Sequence, residues 1–196
     1  SVNGGQMLKS NLVTLDILAS FNWERPVYFV AGGNDGAMKM EKFFQKEGLA
    51  YRLVPIETTG RNFFTYGRID PEILDQHLME DFTWGRMNEE DVYLDHYNLR
   101  TFSVIKFRKN FVRLADAWLQ EGDTLRAEEV LDRCMDLSPH SKIPYDYFIS
   151  GISYPDQNNN IVRNTGVIET YYRCGAIEKA NALMLEFKAT LEQDFI

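Results

Sequence analysis

Few residues of this chain stand at spacings that imply a particular chemistry. Gly32-Gly33-Asn34-Asp35-Gly36 is a glycine-rich loop between an apolar run at 27–31 and a segment read as helical. Backbone N–H groups at such a junction can hold a phosphate or a carboxylate. The loop matches neither G-x-G-x-x-G nor G-x-x-x-x-G-K-[ST], and Asp35 sets a negative charge where an anion would sit. A tight turn is the plainer reading, with Gly32, Gly33, Asn34 and Gly36 as the candidate ligand-binding positions. Asp91, Asp95 and His96 are close enough to suggest metal ligands, but His77, His96 and His140 have no H-E-x-x-H spacing. The expectation is no metal, with these acids in solvated turns. There is no G-x-S-x-G and no local Cys–His pairing, so no catalytic residue and no cofactor is assigned. Cys134 and Cys174 read as packing residues and are expected to be unpaired thiols.

Composition narrows the classes further. The 196 residues carry 21 Lys+Arg against 29 Asp+Glu, a formal net charge of −8. Nucleic-acid and anionic-membrane binding need clustered cations, so no nucleic-acid partner is expected. Apolar residues at 44% and charged residues at 26% are a globular balance, which excludes a mainly disordered chain. No run approaches the roughly 20 apolar residues of a membrane span. The opening Ser1-Val2-Asn3-Gly4-Gly5-Gln6 has neither a basic nor an apolar signal region. The chain reads as a piece of a longer protein.

The elements that must position these residues begin with an amphipathic helix at 7–21, carried by Leu8, Leu12, Leu15, Leu18 and Ala19. Residues 27–31 read as a strand, 37–47 as a helix with Met40, Phe43 and Phe44 on one face, and 49–56 as a second strand. Gly48 is taken as the helix stop. Strand, helix and strand at this spacing predict a βαβ unit with parallel strands and a right-handed crossover. Asp70-Pro71 opens a helix that ends near Phe82. Helices follow at 98–121 and 124–137, a connection at 140–160, and helices at 161–174 and 177–193. The domains are set at 1–90, a small α/β part, and 91–196, a helical part.

Helix, glycine turn, helix and proline form the layout of a tetratricopeptide repeat, with a period of about 34 residues. With Gly122 as the turn, Ala115, Trp118, Ala127, Leu131, Cys134 and Pro139 fall on its small, large and terminal positions. Gly175 repeats the register, with Ile168 and Tyr171 before it and Ala180, Met184 and Phe187 after it. The two glycines are further apart than one period, so an insertion lies between the repeats. The concave face of such an array is a peptide groove, here lined by Lys109, Val112, Asp116, Leu119 and Gln120. Asp116 stands where repeats that clamp acidic C-termini carry Asn, which argues for a different partner.

Four motifs occur in a family-like order. They are Arg25-Pro26-Val27-Tyr28-Phe29, Glu47-Gly48-Leu49-Ala50-Tyr51-Arg52-Leu53-Val54-Pro55, Trp84-Gly85-Arg86-Met87-Asn88 with Val92-Tyr93-Leu94-Asp95, and Ile143-Pro144-Tyr145-Asp146-Tyr147. Over about residues 8–190 the chain resembles the soluble C-terminal region of a bacterial multi-spanning membrane family, the protein O-mannosyltransferase-like proteins. The loop at 32–38 and the insertion at 149–160 depart from the family pattern. The resemblance implies a tail on the periplasmic side of the cytoplasmic membrane, joined to it only through upstream spans. Any glycosyl-transfer site would lie in that upstream half, so no catalytic residue is carried over.

Together these readings give an α+β, mostly α chain. An N-terminal βαβ unit with flanking helices packs on a C-terminal tetratricopeptide-like array. Its function is that of a non-catalytic accessory domain that binds protein or glycan. The rival readings are an enzyme fragment lending residues to a glycosyl-transfer site, and a structural or oligomerisation domain. The repeat register is directly testable at Ala127, which should lie at the closest helix approach. Ala127→Leu is expected to cost about 1–3 kcal/mol by overpacking, and an unchanged melting temperature would refute the register.

Overall fold

The computed structural model describes residues 7–30, 38, 40–58, 67–86, 88–95, 104–145, 149–155 and 161–194. The chain divides into two compact units, Ser1–Asp70 and Pro71–Ile196.

In the first unit, helix α1 spans Lys9–Ala19. Its start is fixed by Asn11, whose Oδ1 accepts from the Leu8 backbone N–H at 2.9 Å. That side chain satisfies one of the donors a helix start leaves unpaired. Strand β1, Tyr28–Phe29, follows the Pro26 turn. The helix expected at 37–47 is not there. A single 3₁₀ turn at Glu41–Phe43 leads into strand β2, Phe44–Glu47, and strand β3, Ala50–Leu53. Gly48 is the first residue of a two-residue hairpin turn rather than a helix stop. Its φ is +64°, and Glu47 pairs with Ala50 across it. Such turns place glycine at their first central position because only glycine takes that φ without strain.

The sheet order is β1-β3-β2, and both pairings are antiparallel. The expected parallel βαβ crossover is therefore replaced by an antiparallel sheet with β3 in the centre. The misleading signal was Met40, Phe43 and Phe44 at helical spacing. The structure uses Phe44 at a strand period instead. Its ring is fully buried, 4.9 Å from Phe29 and 5.5 Å from Tyr51. Leu53 completes this apolar face, with Leu18, Phe21 and Val27 packed at its edge. The other face is polar and carries Tyr28, Arg52 and Gln45 in one cross-strand row.

The second unit opens with α2, Pro71–Asp75, which continues as a wider π-helical segment, Gln76–Asp81. Leu74 and Leu78 are fully buried. The unit boundary falls at Asp70, not at residue 90, because the stretch after Pro71 is built into the helical core. The Trp84 indole donates to Leu78 O at 2.9 Å and meets Phe107 edge-on at 4.8 Å.

Helices α3, Val104–Glu121, and α4, Thr124–Leu137, form a hairpin around Gly122, which adopts φ +87°. Asp123 caps α4 by accepting from the Arg126 N–H at 2.9 Å. Ala115 and Ala127 have no exposed surface, consistent with close approach of the two helices.

Strands β4, Ile152–Pro155, and β5, Ile161–Asn164, pair antiparallel. The sequence places a bare connection and the start of a helix here. The helix α5 begins only at Val167 and ends at Cys174, and α6 runs Ile177–Asp194. The late start has a local cause. Glu169 accepts from Gly166 N–H at 3.0 Å and from Gly151 N–H at 2.7 Å, so one carboxylate fixes both the helix start and the chain entering β4. Gly175 ends α5 in the left-handed region, as a C-terminal cap. α5 packs against both α3 and α4, and α6 packs on α5.

Gly67 gives the sharpest local test. Its φ is +75°, and an added Cβ would lie 3.1 Å from Phe44 O and 3.2 Å from the Tyr51 ring. Gly67→Ala is expected to destabilise the first unit by about 1–2 kcal/mol, read as a lowered urea midpoint; an unshifted midpoint would contradict this geometry.

Candidate functional site

The predicted site residues are scattered. Gly32, Gly33, Asn34 and Gly36 lie outside the described residues, as does His96. Asp91 is exposed and held by the Arg86 guanidinium at 2.9 Å. Among the described residues no three His, Cys, Asp or Glu side chains converge as metal ligands.

The five groove positions lie along α3 and differ in environment. Val112 is buried, Lys109, Asp116 and Leu119 are half-buried, and Gln120 is exposed. Asp116 accepts from the Thr165 hydroxyl at 3.0 Å and from the Arg173 guanidinium. Its charge is thus matched within the chain, by the segment that leads into α5 and by α5 itself. Lys109 and Leu119 keep partial exposure, and Gln120, nearer the Gly122 turn, is open to solvent.

Other charged groups, not singled out from sequence, are also joined across helices. Asp132 on α4 accepts from the Tyr171 hydroxyl at 2.9 Å and from Lys179 at 2.7 Å, and Lys179 also reaches Glu128. These bonds join α4 to α5 and α6. A depression of about 380 Å³ opens beside them, lined by Glu128, Gly175, Ala176, Ile177, Glu178 and Lys179. Asp75 on α2 is grasped by Arg126, from Nε at 2.9 Å, and by the Trp118 indole N–H at 2.8 Å. In the tetratricopeptide pattern Trp118 is a large packing ring; here its N–H also anchors α2.

In the first unit the polar sheet face centres on Glu47, whose side chain is 3% exposed. It accepts from the Tyr28 hydroxyl and from the Gln45 amide, each at 2.7 Å. Arg52 lies 3.6 Å away, and Gln45 in turn accepts from Arg68. The bond to Glu47 raises the Tyr28 pKa. Glu47 thus ties β1, β2 and β3 together at one carboxylate.

Neither thiol is poised as a nucleophile. Burial pushes Cys134 up to about 12 and Cys174 up to about 11. A neutral thiol is a poor nucleophile. Burial, reinforced by Asp132, raises Tyr171, and burial with a bond to Glu186 pushes Tyr145 up to about 12.

Residues 1–73 match the family model described as TMEM260-associated domain 2. That domain is linked to a membrane-protein family, and the match takes in all of the first unit. No curated protein and no solved structure matches the chain. Among the described residues no helix is long and apolar enough to cross a membrane. The matched stretch holds the Glu47 network and α1, and stops just inside α2.

The raised values set a pH limit. The unfolded chain loses the Cys134 proton near 9.0 and the Tyr145 proton near 10.0, whereas the folded chain keeps both until about 12. Above those ordinary values the unfolded state binds fewer protons, so stability is full at neutral pH and falls with rising pH. The urea midpoint of the second unit is expected to decline steadily from pH 9.0 towards about 12, and Tyr171→Phe should flatten the upper part of that decline. A midpoint level through this range would refute the burial of these groups.

Proposed function

We propose that the chain is a non-catalytic accessory domain of a membrane glycosyltransferase-like protein. In this reading it lies on the periplasmic side of the cytoplasmic membrane and binds a protein or a glycan through a tetratricopeptide-like array. The observation that carries the reading is the placement of α5 against both α3 and α4. In a helical-repeat array the first helix of one unit is expected to pack against both helices of the unit before it. The small residues support the same register, since Ala115, Ala127 and Ala180 are all fully buried. Tyr171 is buried as a ring between pairs would be, while Met184 is 42% exposed and its packing role passes to Leu183.

The membrane attachment is supported by the match of residues 1–73 to a domain linked to a membrane-protein family. The mannosyltransferase-like identity rests on the sequence motifs at 25–29, 47–55, 84–95 and 143–147. The non-catalytic reading is supported by the way the described carboxylates are used. Glu47, Asp75, Asp116 and Asp132 each accept from side chains of the same unit.

Two measurements test the proposal together. A photo-crosslinking residue placed at Gln120 in the full-length protein is expected to capture a partner in the cell envelope, where one at Asp136 on α4 does not. The purified chain is expected to transfer no sugar from polyprenyl-phosphate or nucleotide donors. Equal capture at both positions would overturn the groove, and reproducible turnover abolished by a point mutation would overturn the non-catalytic reading.

A further inference from the structure

Helix α1 buries the wrong side for its sequence. Leu8, Leu12, Leu15 and Ala19 follow steps of four, three and four, the a/d spacing of a coiled-coil seam. With Leu12 and Ala19 at a and Leu8 and Leu15 at d, the g positions are Asn11 and Leu18. Those are the side the first unit uses: Asn11 is buried and Leu18 packs at the Phe44 cluster. The seam itself is open, with Leu8 51%, Leu12 54% and Leu15 41% exposed. The core-facing side lies roughly 100° round the helix from it at about 100° per residue. Val13 and Ile17, also exposed, fall at b and f, on the far side of the helix.

The charges say what fits this seam. Lys9 and Asp16 are the only charged residues of α1, both are exposed, and both occupy e positions. In an antiparallel helix pair, e faces e. Two copies of α1 packed antiparallel along the leucine seam therefore set Lys9 of each opposite Asp16 of the other, twice over by symmetry. A parallel pair would set e against g, where Asn11 and Leu18 offer no charge and are already covered.

We infer that α1 is a self-association surface, which pairs antiparallel with α1 of a second copy of this chain through Leu8, Leu12 and Leu15, with reciprocal Lys9–Asp16 ion pairs. This is a two-fold, isologous contact. It is independent of the groove on α3 and of any partner bound there.

Sedimentation equilibrium of the purified chain tests the inference. The 22.8 kDa chain should give a mass that rises with concentration towards twice that value. Leu12→Asp should hold it at monomer mass with an unchanged far-ultraviolet circular dichroism spectrum. Lys9→Asp, or Asp16→Lys, turns two attractive pairs into two repulsive ones and should weaken the dimer about tenfold. Lys9→Asp with Asp16→Lys restores both pairs and should restore the affinity. A wild-type chain that stays monomeric at every concentration overturns the inference. So does a dimer indifferent to the single charge reversals, or a double reversal that fails to rescue. Should Leu12→Asp not fold, the three charge variants decide alone, since Lys9 and Asp16 lie outside the unit's core.

Discussion

The second unit depends on one buried cation. Arg108 has no exposed surface, yet it sits in the middle of an apolar helical core. Its guanidinium donates to Ser138 Oγ at 3.2 Å, Ser138 O at 2.9 Å, Ile143 O at 2.8 Å and Pro144 O at 3.0 Å, and the Tyr145 ring lies 5.9 Å from it. Ser138 and the residues after it are where α4 stops. The last carbonyls of a helix have no intrahelical donor and carry the negative end of its dipole. Arg108 answers both needs from α3. It also folds the chain back, because the same fork holds Ile143 and Pro144 and so presses Ile143 into the core with no exposed surface. Losing that fork would strand several buried carbonyls at once, each at a cost of about 1–3 kcal/mol. The turn at 138–145 is therefore as much a part of the core as the helices are. It delivers the chain to Ile149 and to Glu169, which starts α5.

The same economy runs through the rest of the molecule. Several cross-element bonds are charged on at least one side: Asp75 with Arg126, Asp116 with Arg173, Asp132 with Lys179, Glu47 with Tyr28. A half-buried ion pair contributes little net stability when desolvation offsets attraction. It does make the alternatives expensive, because sliding α5 along α4 would strand Asp132 or Asp116. These pairs fix register, and the apolar contacts supply the driving force.

Much of the second unit was legible in the sequence, and little of the first. Gly122 and Gly175 mark the turns correctly, and 124–137 is a helix to the residue, because long amphipathic helices bounded by left-handed glycines leave few other solutions. Around Gly48 the same residue type carries the opposite meaning. A glycine after Phe43-Phe44-Gln45-Lys46-Glu47 can end a helix or turn a hairpin, and only the partner strand decides. That strand, Ala50–Leu53, buries Phe44 in a way a helix could not. β5 escaped for a related reason. Ile161-Val162-Arg163-Asn164 is β-branched at its start, but it runs straight into a helical pattern, and the Gly166 boundary is only understood once Glu169 is seen to clip it. Of the site residues, spacing could place Asp116 on α3. It could not show that Arg173 and Thr165 reach it, since those contacts join residues far apart in sequence. Arg108 gave no sequence signal, because a cation in a helix is expected at the surface.

The two units handle exposed apolar surface differently, and the difference follows from how each uses its helices. In the second unit the exposed apolar side chains are spread over several elements, with Tyr93, Leu125 on α4, and Ile177, Met184 and Leu185 on α6. Among the described residues of the first unit the sheet has one α-helix to receive. The Phe44 face needs a side chain such as Leu18 and an end such as Phe21, and both come from the g-side of α1 and the turn after it. A helix that serves a small sheet with one flank cannot also bury a seam that lies a quarter-turn away. The leucine seam is left facing outward because the sheet is too narrow to reach it, and the opposite charges at its margin are what makes that outward face selective rather than merely sticky.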